Sequence, residues 1–130
     1  MTFLLDTHVW IWAQLEPDRL SATVKALLSE SDAVPCLSPI SFYEVLLLAE
    51  RGRIRVAGEP AEWLRISLAR RPMMILDVTT EIAIGARSLS EFVNPDPFDR
   101  ILLSTARVHG IPIVSKDEVM RAWGRVPIVW

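Results

Sequence analysis

Residues 96–117 read DPFDRILLSTARVHGIPIVSKD, and this stretch decides the fold. Asp96 followed by Pro97 is a helix start, because an acid caps the free N–H groups and proline suits the first helical position. Gly110 ends that helix. The apolar run IPIV over 111–114 then reads as a short buried strand. Ser115 and Glu118 have the S-x-x-E spacing of a capping box, which opens another helix. Helix, strand and helix in immediate succession are the repeating unit of a parallel sheet.

The same alternation continues toward both ends of the chain. Strands are expected at 2–5 (TFLL), 33–37 (AVPCL), 73–78 (MMILDV), 111–114 and 126–129 (VPIV). Between them lie a turn or short helix over Thr7–Trp12 and a helix from Ser21 to about Ser29. A long helix capped by Ser38, with Pro39 at its first position, runs to Gly52. Further helices span about Glu59 to Arg70, stopped by Pro72, and about Thr80 to Leu89, and a short last one reaches Gly124. FVNPD (92–96) is a loop, since two prolines flank Asp96. Right-handed crossovers then give an α/β fold: one three-layer α/β/α domain over residues 1–130 with a central, mainly parallel sheet of about five strands.

Composition narrows the classes of function. The chain has 130 residues, 51% of them hydrophobic, which suits one well-filled domain and excludes intrinsic disorder. One cysteine, Cys36, excludes an internal disulfide framework or a cysteine-rich metal cluster. No apolar run is long enough to span a membrane. The start MTFLLDTHVWIW lacks a basic leader and carries Asp6, so a cytoplasmic protein is expected. The net charge of −2 gives no support to tight, non-specific nucleic-acid binding. Twelve of the fourteen basic residues are arginine, grouped as Arg51, Arg53, Arg55 and as Arg70, Arg71. Such groups bind phosphate bidentately or merely solvate helix ends.

In an open parallel sheet, ligands sit beyond the carboxyl ends of the strands, so the acids placed there matter most. Asp6 directly follows the first strand among apolar neighbours. A buried, unpaired carboxylate is costly, so it caps the following turn, pairs, or meets a cation. Glu44 is the only charge from Ile40 to Ala49 and shares a helical stripe with Ile40, Leu47 and Leu48. It either pairs with an arginine or is held inward near the strand ends. Asp96, Asp99 and Asp117 lie at helix starts, where capping and the helix dipole alone would favour acids. Together, though, Asp6, Glu44, Asp99 and Asp117 come from separate segments that the alternation brings to one sheet edge. Clustered carboxylates raise one another's pKa, and a divalent cation relieves that. All-oxygen ligands suit Mg²⁺ or Mn²⁺, which assist phosphodiester hydrolysis.

Three motifs, LLDTHVWIW (Leu4–Trp12), SPISFYEVLLLAERGRI (Ser38–Ile54) and DPFDRILLSTARVHGIPIVSKD (Asp96–Asp117), carry a resemblance. The chain resembles the PIN-domain endoribonucleases, specifically the VapC-type toxins of bacterial toxin–antitoxin pairs, from residue 2 to about 129. The resemblance implies that Asp6, Glu44 and Asp99 are metal-binding acids, with Asp117 a fourth, more distant one and Asp96 a supporting acid. Thr7 and Ser115 then stand where hydroxyls bond the acids or metal-bound water, and Arg100 pairs with an acid or supports its helix start. It also implies Mg²⁺- or Mn²⁺-dependent RNA cleavage, a homodimer and a cognate VapB-type antitoxin, with no direct DNA binding by the toxin alone. Asn94 departs from a frequent histidine, and Ser104-Thr105 from an Ala-Gln pair. Both departures are expected to bear on substrate contacts and not to touch the acids.

Other residues weigh less. Asp77 is a rival acid read as a turn residue, His8 reads as packing or substrate contact, and Ser38 and Ser41 read as caps. No phosphate-cradling glycine loop is present. A phosphorylated receiver domain would need an acid pair after the first strand, which is missing. A PIN module that binds protein or RNA without cutting is the remaining alternative.

Overall fold

The computed structural model describes residues 1–130. Five strands, β1 (Thr2–Leu5), β2 (Val34–Leu37), β3 (Met74–Ile75), β4 (Ile113–Val114) and β5 (Ile128–Val129), form one sheet in the order β3-β2-β1-β4-β5. Every pairing is parallel. Seven helices connect them: α1 (Thr7–Leu15), α2 (Ala22–Ser29), α3 (Pro39–Glu50), α4 (Pro60–Arg70), α5 (Thr80–Arg87), α6 (Pro97–His109) and α7 (Glu118–Trp123).

Alternation along the strands separates two cores. Phe3, Leu5, Leu37 and Val114 face one cluster, joined by Val9, Trp10, Val24, Val45 and Leu64 of α1 to α4. Leu4, Cys36 and Ile113 face the other, with Leu102, Leu103 and Ala106 of α6 and Met120 of α7. Because successive side chains point to opposite faces, both faces of the central strands must be covered, and the three-layer α/β/α expectation holds.

The strands are shorter than expected at the sheet edges. The 73–78 run pairs only at Met74–Ile75, with a last bond from Leu76 N to Leu37 O, and Asp77 beyond it is exposed. Pro112 and Pro127, which have no N–H to give, serve as acceptors just before β4 and β5, at Leu4 N and Ile113 N. The Thr7–Trp12 turn is a full helix reaching Leu15, followed by a 3-10 turn at Pro17–Arg19.

Residue Gly85 brings α5 against α6. A Cβ there would lie 2.6 Å from Ser104 Oγ, itself fixed by donating to Ile82 O at 2.7 Å. The order places β1 between β2 and β4, so the chain runs outward from β1 through β2 to β3 and then crosses back to add β4 and β5 on the other side of β1. Such a switch point opens a crevice at the carboxyl ends of the strands.

Candidate active site

Asp6 sits in that crevice. Its backbone N–H still bonds Val114 O at 3.0 Å, which fixes it between β1 and β4. It occupies the position before α1, yet its side chain makes no capping bond. The carboxylate instead accepts from Ser115, whose hydroxyl donates to Oδ2 at 2.6 Å. The expected Ser115–Glu118 capping box does not form, because Asp117 caps α7 through Oδ1, at 2.7 Å from Val119 N and 3.0 Å from Met120 N. Ser115 Oγ accepts from Asp117 N at 3.0 Å, so one serine ties two acids together.

Glu44 is buried on α3 and has no arginine partner. The ion pairs of the chain, Arg19–Glu16, Arg65–Glu62 and Arg125–Glu91, are all at the surface. Thr7 lies beside Glu44 and favours its charged form, while the Thr7 hydroxyl donates to Ser41 Oγ at 2.8 Å. Ser38 caps α3 as expected, through Ile40 N at 3.2 Å, but Ser41 is no cap. It is a buried acceptor that ties α1 to α3 one turn before Glu44.

The α6 start supplies the remaining acids. Asp96 caps the helix through Phe98 N at 2.8 Å. Asn94 Oδ1 accepts from Asp96 N at 3.0 Å, and Asn94 Nδ2 donates to Asp99 Oδ2 at 2.9 Å. Asn94 therefore touches an acid, contrary to expectation, because the turn between Asn94 and Asp96 aims its amide into the site. Ser104 and Thr105 do not, since they bond Ile82 O and Ile101 O. Arg100 pairs with no acid. Its buried guanidinium donates to Ala86 O at 2.8 Å, Phe92 O at 3.0 Å and Asn94 O at 3.2 Å, anchoring the loop before α6.

Electrostatics join these residues into one cluster. Burial, then the charges of Asp6, Asp96, Asp117 and Glu44, push Asp99 from the ordinary 3.8 up to about 8. Burial also raises Asp6, opposed by the Ser115 hydroxyl, and raises Glu44, opposed by Thr7. No arginine or lysine is ion-paired to any of the five. No three of the carboxyl groups close to metal-ligand geometry, so the fit to a cation rests on the donor set: hard carboxyl oxygens that no arginine or lysine pairs with. That set fits a hard divalent ion.

Of the expected residues, Asp6, Glu44, Asp96, Asp99 and Asp117 are brought together, with Ser115 bonded to Asp6 and Asp117 and Thr7 bonded to Ser41 beside Glu44. Asp77 stays outside. His8 is exposed and lines a cavity of about 290 Å³ with Asp6, Trp12, Lys116 and Asp117. Sequence reasoning missed Ser41 and the role of Asn94. The signals were present, in a serine one turn before a buried Glu44 and in the N-x-D spacing of a side-chain turn.

Known proteins of similar sequence and fold are found. The family description "PIN domain" matches residues 3–126. Ribonuclease VapC22 of Mycobacterium tuberculosis is 35% identical over 121 residues, covering 93% of this chain and 91% of that protein. The VapBC2 structure from Rickettsia felis, bound to a DNA fragment from their promoter, superposes with a TM-score of 0.72 at 15% identity, over 99% and 98% of the two chains. The DNA-bound VapBC structure from Salmonella typhimurium gives 0.71 at 19% identity, over 99% and 97%.

Proposed function

The chain belongs to the PIN domain family, and from that premise we propose that it is a metal-dependent endoribonuclease, the toxin of a VapBC-type pair, acting as a single domain over residues 1–130. One observation carries the reading. Five carboxyl groups from four segments meet at the switch point of the sheet, and none of them is ion-paired to an arginine or lysine. The relative named a ribonuclease supports RNA as the substrate.

Asp6, Glu44, Asp99 and Asp117 would hold Mg²⁺ or Mn²⁺. When bound, such an ion supplies a water of lowered pKa and stabilises charge developing at phosphorus. The chain's own groups set the stage for hydrolysis of the P–O bond. Ser115 donates to Asp6 and orients it, opposing the upward push of burial; Thr7 lies beside Glu44 and opposes the same push there; and Asn94 fixes one oxygen of Asp99. Asp96 holds the start of α6 in place, and Arg100 holds the loop before it. Three titratable groups with displaced pKa values, Asp6, Glu44 and Asp99, lie in one crevice, as is typical of functional sites.

The VapBC complexes among the structural neighbours support a cognate VapB-type antitoxin as partner. A homodimer is proposed from the apolar side chains left exposed on β3, Met74 and Ile75. No helix is long and apolar enough to cross a membrane, and the likeness to a VapC ribonuclease supports a cytoplasmic location.

The test is cleavage of a total bacterial RNA pool by purified protein, with Mg²⁺ or Mn²⁺ and with chelator, beside Asp6→Ala. Discrete fragments that need the metal and vanish in the variant are expected. A folded protein that cuts nothing under either metal would be a binding module instead.

A further inference from the structure

We propose that the groove between α1 and the turn after α3 carries the single-stranded RNA flanking the scissile bond, with Arg53 and Arg55 holding its phosphates. The inference rests on the ribonuclease reading and extends it to substrate binding. The groove has a volume of about 660 Å³, within the range of ligand clefts. Arg19, Arg53 and Arg55 line it over an apolar floor that includes Leu15 and Leu48.

The two arginine groups in the sequence have different fates. Arg71 donates to Leu28 O at 3.0 Å and braces the end of α4 against α2. Arg53 and Arg55 are exposed and carry no ion pair. They follow Gly52, whose φ of +69° turns the chain back, and Arg53 N closes the turn on Leu48 O at 2.8 Å. The guanidinium groups are thus presented from a hydrogen-bonded turn. The only acid of the groove, Glu16, is held by Arg19 at 3.5 Å, and Arg19 also lies over the Trp12 ring at 4.3 Å.

Continuity with the acid cluster favours RNA as occupant. His8 and Trp12 line both this groove and the smaller cavity that contains Asp6 and Asp117. A polyanion approaching clustered carboxylates needs cations beside them, and a chain of net charge −2 has to supply these locally. The apolar floor and Trp12 suit unpaired bases, which stack on any aromatic face.

Binding of a short fluorescein-labelled oligouridylate, read by anisotropy across a KCl series in Mg²⁺, tests this. It uses the full chain carrying Asp6→Asn so that the strand survives. Combined Arg53→Ala and Arg55→Ala should weaken binding about tenfold and flatten the log–log salt slope by about 0.7 per arginine. Paired lysine replacements should keep the slope, and Arg65→Ala on α4 should change nothing. With Asp6 intact, the double alanine variant should raise KM and keep kcat. Unchanged affinity and slope would overturn the proposal and assign the groove to a protein segment, even if the native chain cuts RNA. A native chain that cuts no RNA, while the arginine variants still lose binding, would sink the catalytic reading and leave the groove standing.

Discussion

Asn94 Nδ2 donates to Asp99 Oδ2 at 2.9 Å while Asn94 Oδ1 accepts the Asp96 N–H at 3.0 Å. A backbone N–H is always a donor, so it fixes which end of the amide faces it, and the NH₂ end must face Asp99. Arg100 secures the same residue by donating to Asn94 O at 3.2 Å. The Asp99 rotamer is therefore set from outside the cluster, with one oxygen bonded and the other free.

Replacing Asn94 by alanine should lower RNA cleavage by about 10–100-fold, the usual cost of losing a group that orients a metal-binding acid. The melting temperature should hardly move, since Asn94 is only half-buried. Steady-state cleavage beside calorimetric Mn²⁺ affinity checks this. A loss of stability without a loss of Mn²⁺ affinity would make Asn94 purely structural.

The displaced Asp99 pKa gives a pH signature. The folded chain keeps the Asp99 proton up to about 8, whereas the unfolded chain releases it near 3.8. Between those values the native state binds more protons, so in chelator stability should fall as pH rises from about 4 to about 8, and then level off. Asp99→Asn should remove part of that slope and raise the melting temperature at pH 8 by about 3–6 °C. Thermal melts across pH decide it.

Arg100→Ala strands three backbone carbonyls, those of Ala86, Phe92 and Asn94. A loss of about 2–4 kcal/mol is expected, because charged hydrogen bonds are strong and buried acceptors are costly to leave unmet. Arg100→Lys should recover little, having no fork to reach all three. Urea unfolding measures both.

Gly85→Ala gains about 1 kcal/mol of helix propensity but drives a Cβ to 2.6 Å from Ser104 Oγ. Overpacking of this kind costs about 1–3 kcal/mol. The substitution should thus be more favourable by about 1 kcal/mol or more when Ser104 is also alanine, and a double-mutant cycle reads that coupling.

Much of this was legible in the sequence, for local reasons. Pro97 and Gly110 bound α6 because proline and a left-handed glycine act through their own backbones. The acids stood out because Asp6 and Glu44 are charges in apolar runs. What stayed hidden is tertiary. Arg100 finds carbonyls of α5 and of the loop before α6, where an acid partner or support of the helix start was expected. The 73–78 strand shrinks at the sheet edge, where only β2 offers partners. The Ser115–Glu118 box loses to Asp117, whose Oδ1 takes the free N–H groups of Val119 and Met120, while Ser115 Oγ accepts from Asp117 N and donates to Asp6, distant in sequence.

Calorimetric titration of Mn²⁺ into the native chain and into Asp6→Asn and Asp99→Asn tests the central claim, that these acids form one cation site. The native chain should bind Mn²⁺, and each variant should bind about tenfold more weakly or worse. Native-like Mn²⁺ affinity in both variants, or none in the native chain, would contradict it.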